Sequence, residues 1–290
     1  MKRKMCMLLL TLMLLVVYST LLPSSHHDAG IGLAAGGTWI QASDGRWWYK
    51  HYDGTYTTSG WEQIDGSWYY FDSSGWMKTG WIYYSGAWYY CSVPNGQMLT
   101  GWQYIGTSWY YFYSSGVMCN SSLDLSDEDG ERTAYFYSGG SWRYTTALLY
   151  SNRRMVDGNK RLEWESYSIY TPQIRNAAAK WNQIHNVIKE VSSSPGSGLP
   201  TPGIDVTIMD FLEDSSLYGY ASIEYREIGL NYRKLQERPD RLMFTILHEL
   251  GHALGLAHND PGDIMSKYTK EHSSLSTNDI QSFHVAYSHY

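Results

Sequence analysis

Tryptophan returns at a nearly constant interval through the first half of this chain, and that period leaves few folds open to it. Trp48, Trp68, Trp88 and Trp109 stand 20, 20 and 21 residues apart. Each opens an aromatic run: Trp48-Tyr49, Trp68-Tyr69-Tyr70-Phe71, Trp88-Tyr89-Tyr90-Cys91 and Trp109-Tyr110-Tyr111-Phe112. A fixed period of this size marks a repeat array. Between the runs lie Gly60-Trp61, Gly80-Trp81 and Gly101-Trp102, with turn signals at Asp53-Gly54, Ser74-Gly75, Asn95-Gly96 and Ser115-Gly116. Each unit therefore reads as a β-hairpin. One hairpin cannot bury its own aromatic face, so the units must stack. Residues 38–120 are expected to form an all-β solenoid of stacked hairpin repeats, stabilised by neighbour contacts.

A different pattern governs the other end. His248-Glu249-Leu250-Gly251-His252 follows an apolar run that includes Leu242, Phe244, Ile246 and Leu247. On an α-helix, residues four apart leave the same face one turn apart, so the two imidazoles can share a metal ion. Glu249 lies about 100° round the helix, too far to be a natural third ligand but close enough to reach a water at the metal as general base. On an unbroken helix His258 would sit about 15 Å further along and about 80° off the ligand face. The helix must stop, and Gly255 is where it can, because glycine takes a left-handed C-terminal conformation without steric cost.

With 290 residues the chain has room for two domains, and 11 of its 13 Trp precede residue 143. A net charge of −6 and a pI near 5.9 give no basic footprint, which excludes nucleic acid and an anionic membrane surface as expected partners. Lys2-Arg3-Lys4, an apolar run from Met5 to Tyr18 and small residues at Ala29-Gly30 and Ala34-Ala35-Gly36 read as a signal peptide over about 1–30. Export without a stable membrane anchor after cleavage is the expectation. Beyond it only Cys91 and Cys119 remain, and the sequence leaves open whether they pair.

Residues 121–132, rich in Asp and Ser, suit an exposed linker. From 133 to 290 the pattern is mixed. A strand is expected at Arg143–Tyr150, a long helix from Pro172 to Val191, strands at Ile204–Met209 and Ile228–Tyr232, the histidine helix, and a last helix from about Asn278 to Tyr287 capped by Ser276-Thr277. That is an α+β domain large enough for its own core.

His-Glu-x-x-His-x-x-Gly-x-x-His followed by Met265 in Asp263-Ile264-Met265-Ser266 resembles the metzincin metallopeptidases, and the gap of seven residues from His258 to Met265 is similar to the matrixin branch. The resemblance implies a metzincin-like domain with one catalytic Zn²⁺ on His248, His252 and His258, Glu249 as base, and Gly255 and Met265 supporting the site. It also implies that the strand and helix expected after residue 143 are the first of a matrixin domain, and that Leu217–Ser222 is an edge strand along which a protein or peptide substrate lies. Tyr268 follows the methionine by three residues rather than two, which makes it a pocket wall rather than a ligand. His272, His284 and His289 have no ligand spacing. Calcium sites are common in matrixins, but no carboxylate cluster here is dense enough to assign Ca²⁺. The cysteine-switch motif is absent.

The array resembles the choline-binding or cell-wall-binding repeats of Gram-positive surface proteins, through Gly-Trp, Trp-Tyr-Tyr and junctions such as Met77-Lys78-Thr79-Gly80-Trp81. In that family adjacent hairpins form aromatic cages for a quaternary ammonium group. The matching positions are Trp61, Trp68, Trp81, Trp88, Trp102 and Trp109 with Tyr70, Tyr90 and Tyr111. Related arrays bind glucans instead, so the wall polymer is either choline-bearing or a glucan. Together the two resemblances imply a secreted, wall-associated zinc endopeptidase. The alternatives are a wall-binding or adhesin protein with an inactive metal domain, and a zinc amidase acting on the wall.

Overall fold

The structure, a computed structural model, describes residues 36–150, 153–191, 201–260, 262–267 and 273–290. The expected signal peptide at 1–30, Tyr268 and His272 lie outside the described residues. Among those described, no helix is long and apolar enough to cross a membrane. Contacts divide the chain into two compact units, Met1–Gly80 with Cys91–Met98, and Trp81–Tyr90 with Leu99–Tyr290.

Four two-stranded sheets come first: β1 (Gly37–Gln41) with β2 (Trp47–His51), β3 (Gly60–Ile64) with β4 (Ser67–Phe71), β5 (Gly80–Tyr84) with β6 (Ala87–Cys91), and β7 (Gly101–Ile105) with β8 (Ser108–Phe112). Their period has a simple backbone cause. The methionine after each of the last three turns reaches back to the tryptophan carbonyl of the preceding hairpin. Within the first unit Met77 N donates to Trp47 O at 2.7 Å and Met98 N to Trp68 O at 2.8 Å, and within the second Met118 N donates to Trp88 O at 2.8 Å. Within each unit, aromatic rings of neighbouring hairpins are in contact. In the first unit Trp39 lies 5.2 Å from Tyr49 and 4.8 Å from Tyr69 between ring centroids. In the second, Trp81 lies 4.9 Å from Tyr110 and 5.9 Å from Phe112. Cys91 and Cys119 are both free and buried. Burial pushes the Cys91 thiol up to about 12, so it packs as an inert small residue.

Residues 121–132 are not the bare linker their composition suggested. They contain β9 (Ser122–Asp124) and the start of β10 (Glu131–Phe136), which pairs in turn with β11 (Trp142–Leu148) in a three-stranded sheet. The acidic residues that looked like solvated linker are used locally: the Asp124 carboxylate accepts from Ser126 N and Ser126 Oγ, tightening the hairpin turn. β11 is the strand expected at 143–150, but it does not open the main sheet. Its outer N–H groups are taken by side chains of α4 (Thr277–Ser288), with Thr145 N donating to Asn278 Oδ1 at 2.9 Å and Ala147 N to Ser282 Oγ at 3.0 Å.

The main sheet runs β13-β12-β14-β16-β15, with β12 (Leu162–Ser166), β13 (Ile188–Glu190), β14 (Val206–Phe211) and β16 (Glu227–Asn231) parallel and β15 (Gly219–Ser222) antiparallel at the edge. The expected helix from Pro172 to Val191 is α1 (Thr171–Asn182) followed by β13. The break lies in one side chain. Asn182 Oδ1 accepts from Val187 N and Ile188 N, and its amide donates to Ile188 O. These bonds offer the backbone an alternative to the helix. α2 (Tyr232–Glu237) leads to α3 (Leu242–Ala253), the histidine helix. Eight of its twelve residues are buried, so it is a core helix rather than a surface one. Leu247 and Leu250 pack in one core with Trp164, Trp181, Ile208, Leu230 and Phe283. Trp181 also donates its indole N–H to Leu247 O at 3.1 Å, which locks α1 onto α3.

Candidate functional site

α3 sets His248 and His252 one turn apart on the same side, with ring centroids 4.6 Å apart and Nε2 atoms 3.1 Å apart. The helix then ends as the spacing demanded. Gly255 has φ +89, its N–H bonds His252 O at 2.9 Å, and Leu256 N bonds Gly251 O at 3.0 Å, the pair of bonds of a Schellman turn. The reversal returns His258, whose ring centroid lies 5.4 Å from that of His248 and 5.0 Å from that of His252. One nitrogen from each of the three lies within 4.8 Å of the others, and among the described residues these form the group of His, Cys, Asp or Glu able to share an ion.

The outer nitrogens say which tautomer is present. His248 Nδ1 lies 2.7 Å from Ile264 O and His252 Nδ1 lies 2.8 Å from Leu256 O. A carbonyl only accepts, so each Nδ1 carries the proton and each Nε2 presents a lone pair. Burial keeps the rings neutral, lowering His248 to about 4 and lowering His252 and His258 as well. Two bare lone pairs facing each other across 3.1 Å repel unless a cation lies between them. Three neutral imidazoles with no thiolate fit a zinc ion with an open position.

Glu249 is buried, and burial pushes its carboxyl up to about 8. The sheet edge comes close beside it. A Cβ on Gly219, the first residue of β15, would stand 2.8 Å from Thr245 Cγ2 and 3.2 Å from Glu249 Cγ, so a glycine there lets the edge strand approach the helix. Met265 is 1% exposed and lies against α3 where Gly251 leaves room, since a Cβ on that glycine would fall 2.2 Å from Met265 Sδ. Asp279, fully buried in α4, accepts from Ile264 N at 2.9 Å, Met265 N at 3.1 Å and Ser276 N at 2.8 Å. It fixes the turn whose carbonyl holds His248. Sequence reasoning singled out neither residue. Gly251 did leave a signal, because a glycine inside an apolar helix costs about 1 kcal/mol against alanine and so implies a close neighbour. Asp279 left none, because its bonds to Ile264 and Met265 depend on tertiary placement.

Gly255→Val tests the helix break. A β-branched residue resists positive φ, and its Cβ would lie 3.2 Å from Arg154 Cβ. Zinc affinity should fall as far as it does in His258→Ala, as measured by competition with a chromogenic chelator. Unchanged affinity would show that the chain reverses without the glycine.

The aromatic positions of the array group by strand register. Trp61 faces Tyr70 across β3 and β4, with centroids 5.2 Å apart, and Trp68 sits opposite Gln63. Trp81 gathers Trp88 at 6.1 Å and Tyr90 at 5.1 Å. Trp102 faces Tyr111 at 5.4 Å, while Trp109 packs on Tyr104 at 5.3 Å. Trp81, Trp88 and Trp109 stay 39–45% exposed, an unusual cost for indole rings unless something covers them. Of the remaining histidines, His185, in the loop after α1, has Nε2 2.9 Å from Nδ1 of His284 in α4.

Comparison with known proteins separates the two halves. The family described as Matrixin matches residues 159–288, a Choline-binding repeat family matches 58–101, and a Putative cell wall binding repeat family matches 100–118. Among solved structures, CbpJ of Streptococcus pneumoniae TIGR4 is 36% identical over 40% of this chain and 38% of its own, with a TM-score of 0.34. Choline binding protein F of Streptococcus pneumoniae, in the presence of a peptidoglycan analogue, is 39% identical over 40% of this chain and 37% of its own, with a TM-score of 0.33. The pneumococcal cell wall endolysin from phage Cp-1, complexed with choline, is 32% identical over 44% of this chain and 36% of its own, with a TM-score of 0.32. The chain thus spans less than half the length of each. No curated protein matches it.

Proposed function

The chain joins choline-binding repeats to a matrixin domain, and from that premise we propose that it is a secreted, wall-associated zinc endopeptidase acting on proteins or peptides. The observation that carries this reading is the convergence of three neutral imidazoles within 4.8 Å, beside a buried carboxyl. His248, His252 and His258 would hold a zinc ion, which would supply Lewis acidity toward the scissile carbonyl and toward water. Glu249 takes the proton of the attacking water and passes it to the leaving amine. Burial alone raises the Glu249 carboxyl to about 8, and the positive charge of a bound dication beside it would favour the ionised form that accepts the proton. β15 ends the main sheet, so its outer edge offers main-chain groups to an extended peptide, with side-chain pockets giving preference. The nearness of Gly219 to Glu249 sets that peptide beside the base.

The repeats supply attachment. Their exposed indoles suit a quaternary ammonium group, attracted over a Trp face by up to about 2 kcal/mol once desolvated. The matches to the Choline-binding repeat and Putative cell wall binding repeat families support a wall polymer as partner. One experiment tests both halves. The purified protein should cleave a mixed peptide library, lose that activity to a chelator and regain it with zinc, and sediment with Gram-positive walls until free choline releases it. Wall binding without any chelator-sensitive cleavage would reduce the protein to an adhesin. Release by a glucan, with choline inert, would move the ligand to carbohydrate.

A further inference from the structure

The third histidine is held differently from the first two. His248 and His252 rest on backbone carbonyls, whereas His258 Nδ1 faces a carboxylate, Asp129 Oδ2, at 3.7 Å. Asp129 lies before the residues that match the matrixin family, on the turn between β9 and β10. We propose that Asp129 is a positioning residue for His258: its carboxylate attracts the Nδ1–H edge of the ring and turns Nε2 toward the other two imidazoles. The sheet preceding the matrixin domain then contributes to the metal centre. This inference rests on the zinc-site reading given above.

The placement of that turn is built, not incidental. Gly130 lies so close to the histidine segment that a Cβ there would fall 2.6 Å from Ala257 Cβ and 2.2 Å from Leu148 O. Only a glycine lets the turn lie flat on the residue preceding His258. Three ion pairs brace it. Arg132 reaches Asp260 at 2.7 Å and Asp127 at 3.5 Å, and Lys267, two residues after Met265, reaches Asp129 at 2.9 Å. Tyr150 Oη donates to Asp127 O at 2.5 Å. Asp129 is therefore tied at once to the turn beneath the site and to the third imidazole.

The hairpin that carries Asp129 is anchored as one more unit of the array. Phe136-Tyr137-Ser138-Gly139-Gly140 follows the same pattern as Phe112-Tyr113-Ser114-Ser115-Gly116. Tyr137 N bonds Ser141 O and Gly140 N bonds Tyr137 O, as Tyr113 N bonds Val117 O and Gly116 N bonds Tyr113 O. A Cβ on Gly140 would fall 2.2 Å from Met118 Sδ, just as one on Gly96 would fall 2.3 Å from Met77 Sδ. Trp102 stacks on Phe136 at 5.5 Å with the planes 25° apart. A degenerate last hairpin, with Ala134 and Phe136 buried against Leu123 and Leu125, thus carries its turn to the histidines.

The test uses the full-length protein, stripped of metal and titrated with Co²⁺ while the visible absorption bands are followed, with zinc affinity then read by competition with a chelator. Asp129→Ala and Asp129→Asn should each bind zinc at least about tenfold more weakly, the usual effect of removing a partner behind a metal-binding histidine. Asp129→Glu should restore most of the affinity. Gly130→Val, which moves the turn without changing any charge, should weaken binding in the same direction. The metal-free melting temperature should fall only as far as the loss of one partly exposed ion pair with Lys267 allows, equally in both Asp129 variants, which separates positioning from folding. Affinity equal to the parent in Asp129→Ala and Asp129→Asn would overturn the proposal. So would an affinity loss that tracks a lower metal-free melting temperature, since that marks a structural role only. A parent protein that bound no cobalt at all would remove the metal centre itself, a different failure from one confined to the variants.

Discussion

Glu249→Gln is expected to keep zinc and fold yet lose about 10²–10⁴-fold in turnover, the range general acid–base catalysis contributes. The amide matches the carboxyl in volume, so the packing of a residue only 7% exposed is preserved, and no metal ligand is touched. What disappears is the ability to accept a proton. The substitution should even ease the folded state slightly, because burial disfavours the charged carboxylate, as its upward shift to about 8 shows. The sign of that linkage is definite. A carboxyl whose folded value is raised favours folding as the neutral acid, and that contribution fades as pH rises from the ordinary carboxylate range through about 8. Relative to the metal-free Gln variant, the metal-free parent should therefore lose stability over this window, since the neutral histidines contribute equally to both. Zinc content, turnover and melting temperature measured on one sample decide it. A variant retaining a tenth of the parent activity would mean that another group takes the proton.

The site was legible to the extent that its geometry is local. The helix, its break at Gly255 and the return of His258 follow from spacing and from one residue's freedom at positive φ, and the structure brings the three rings together accordingly. The groups behind the ligands were not legible. Asp279, Asp129 and the carbonyl of Ile264 come from 31, 119 and 16 residues away along the chain from His248, and no spacing rule connects them. The β12 strand was missed for another reason. In Leu162-Glu163-Trp164-Glu165-Ser166 the two acids resemble a polar surface segment, yet Glu165 is 1% exposed, its oxygens satisfied by Thr201 N and Thr201 Oγ1. Sequence shows the cost of burying that charge but not the partner that offsets it. The long helix was overextended because apolar spacing continues through Ile184, Ile188 and Val191, while the competing hydrogen bonds of Asn182 leave no mark on periodicity.

A fragment beginning at residue 133, the boundary that composition alone suggests, is expected to be insoluble or nearly inactive. One spanning 99–290 should keep most of the peptide hydrolysis. The shorter fragment removes β9 and the first two residues of β10, leaving the rest of that strand with a bare edge and uncovering Ala134 and Phe136. It removes the Arg132–Asp260 ion pair and the contact of Gly130 with Ala257. The loss of three strand-pairing residues and of the half-buried Leu123 and Leu125 as cover costs about 4–5 kcal/mol, at roughly 1 kcal/mol per hydrogen bond and about 0.8 per half-buried aliphatic side chain. Domains commonly hold only about 5–15 kcal/mol in total. The damage is also aimed at the site. β11, which loses part of its support, is the strand whose end braces the helix break: Leu149 N bonds Gly255 O at 2.9 Å and Ala257 N bonds Ala147 O at 3.2 Å. Soluble yield, circular dichroism and zinc content of the two fragments, compared at equal concentration, make the distinction. If 133–290 were folded, zinc-loaded and as active as 99–290, β9 and the turn that leads into β10 would be dispensable. The matrixin domain would then be complete without anything the repeats lead into.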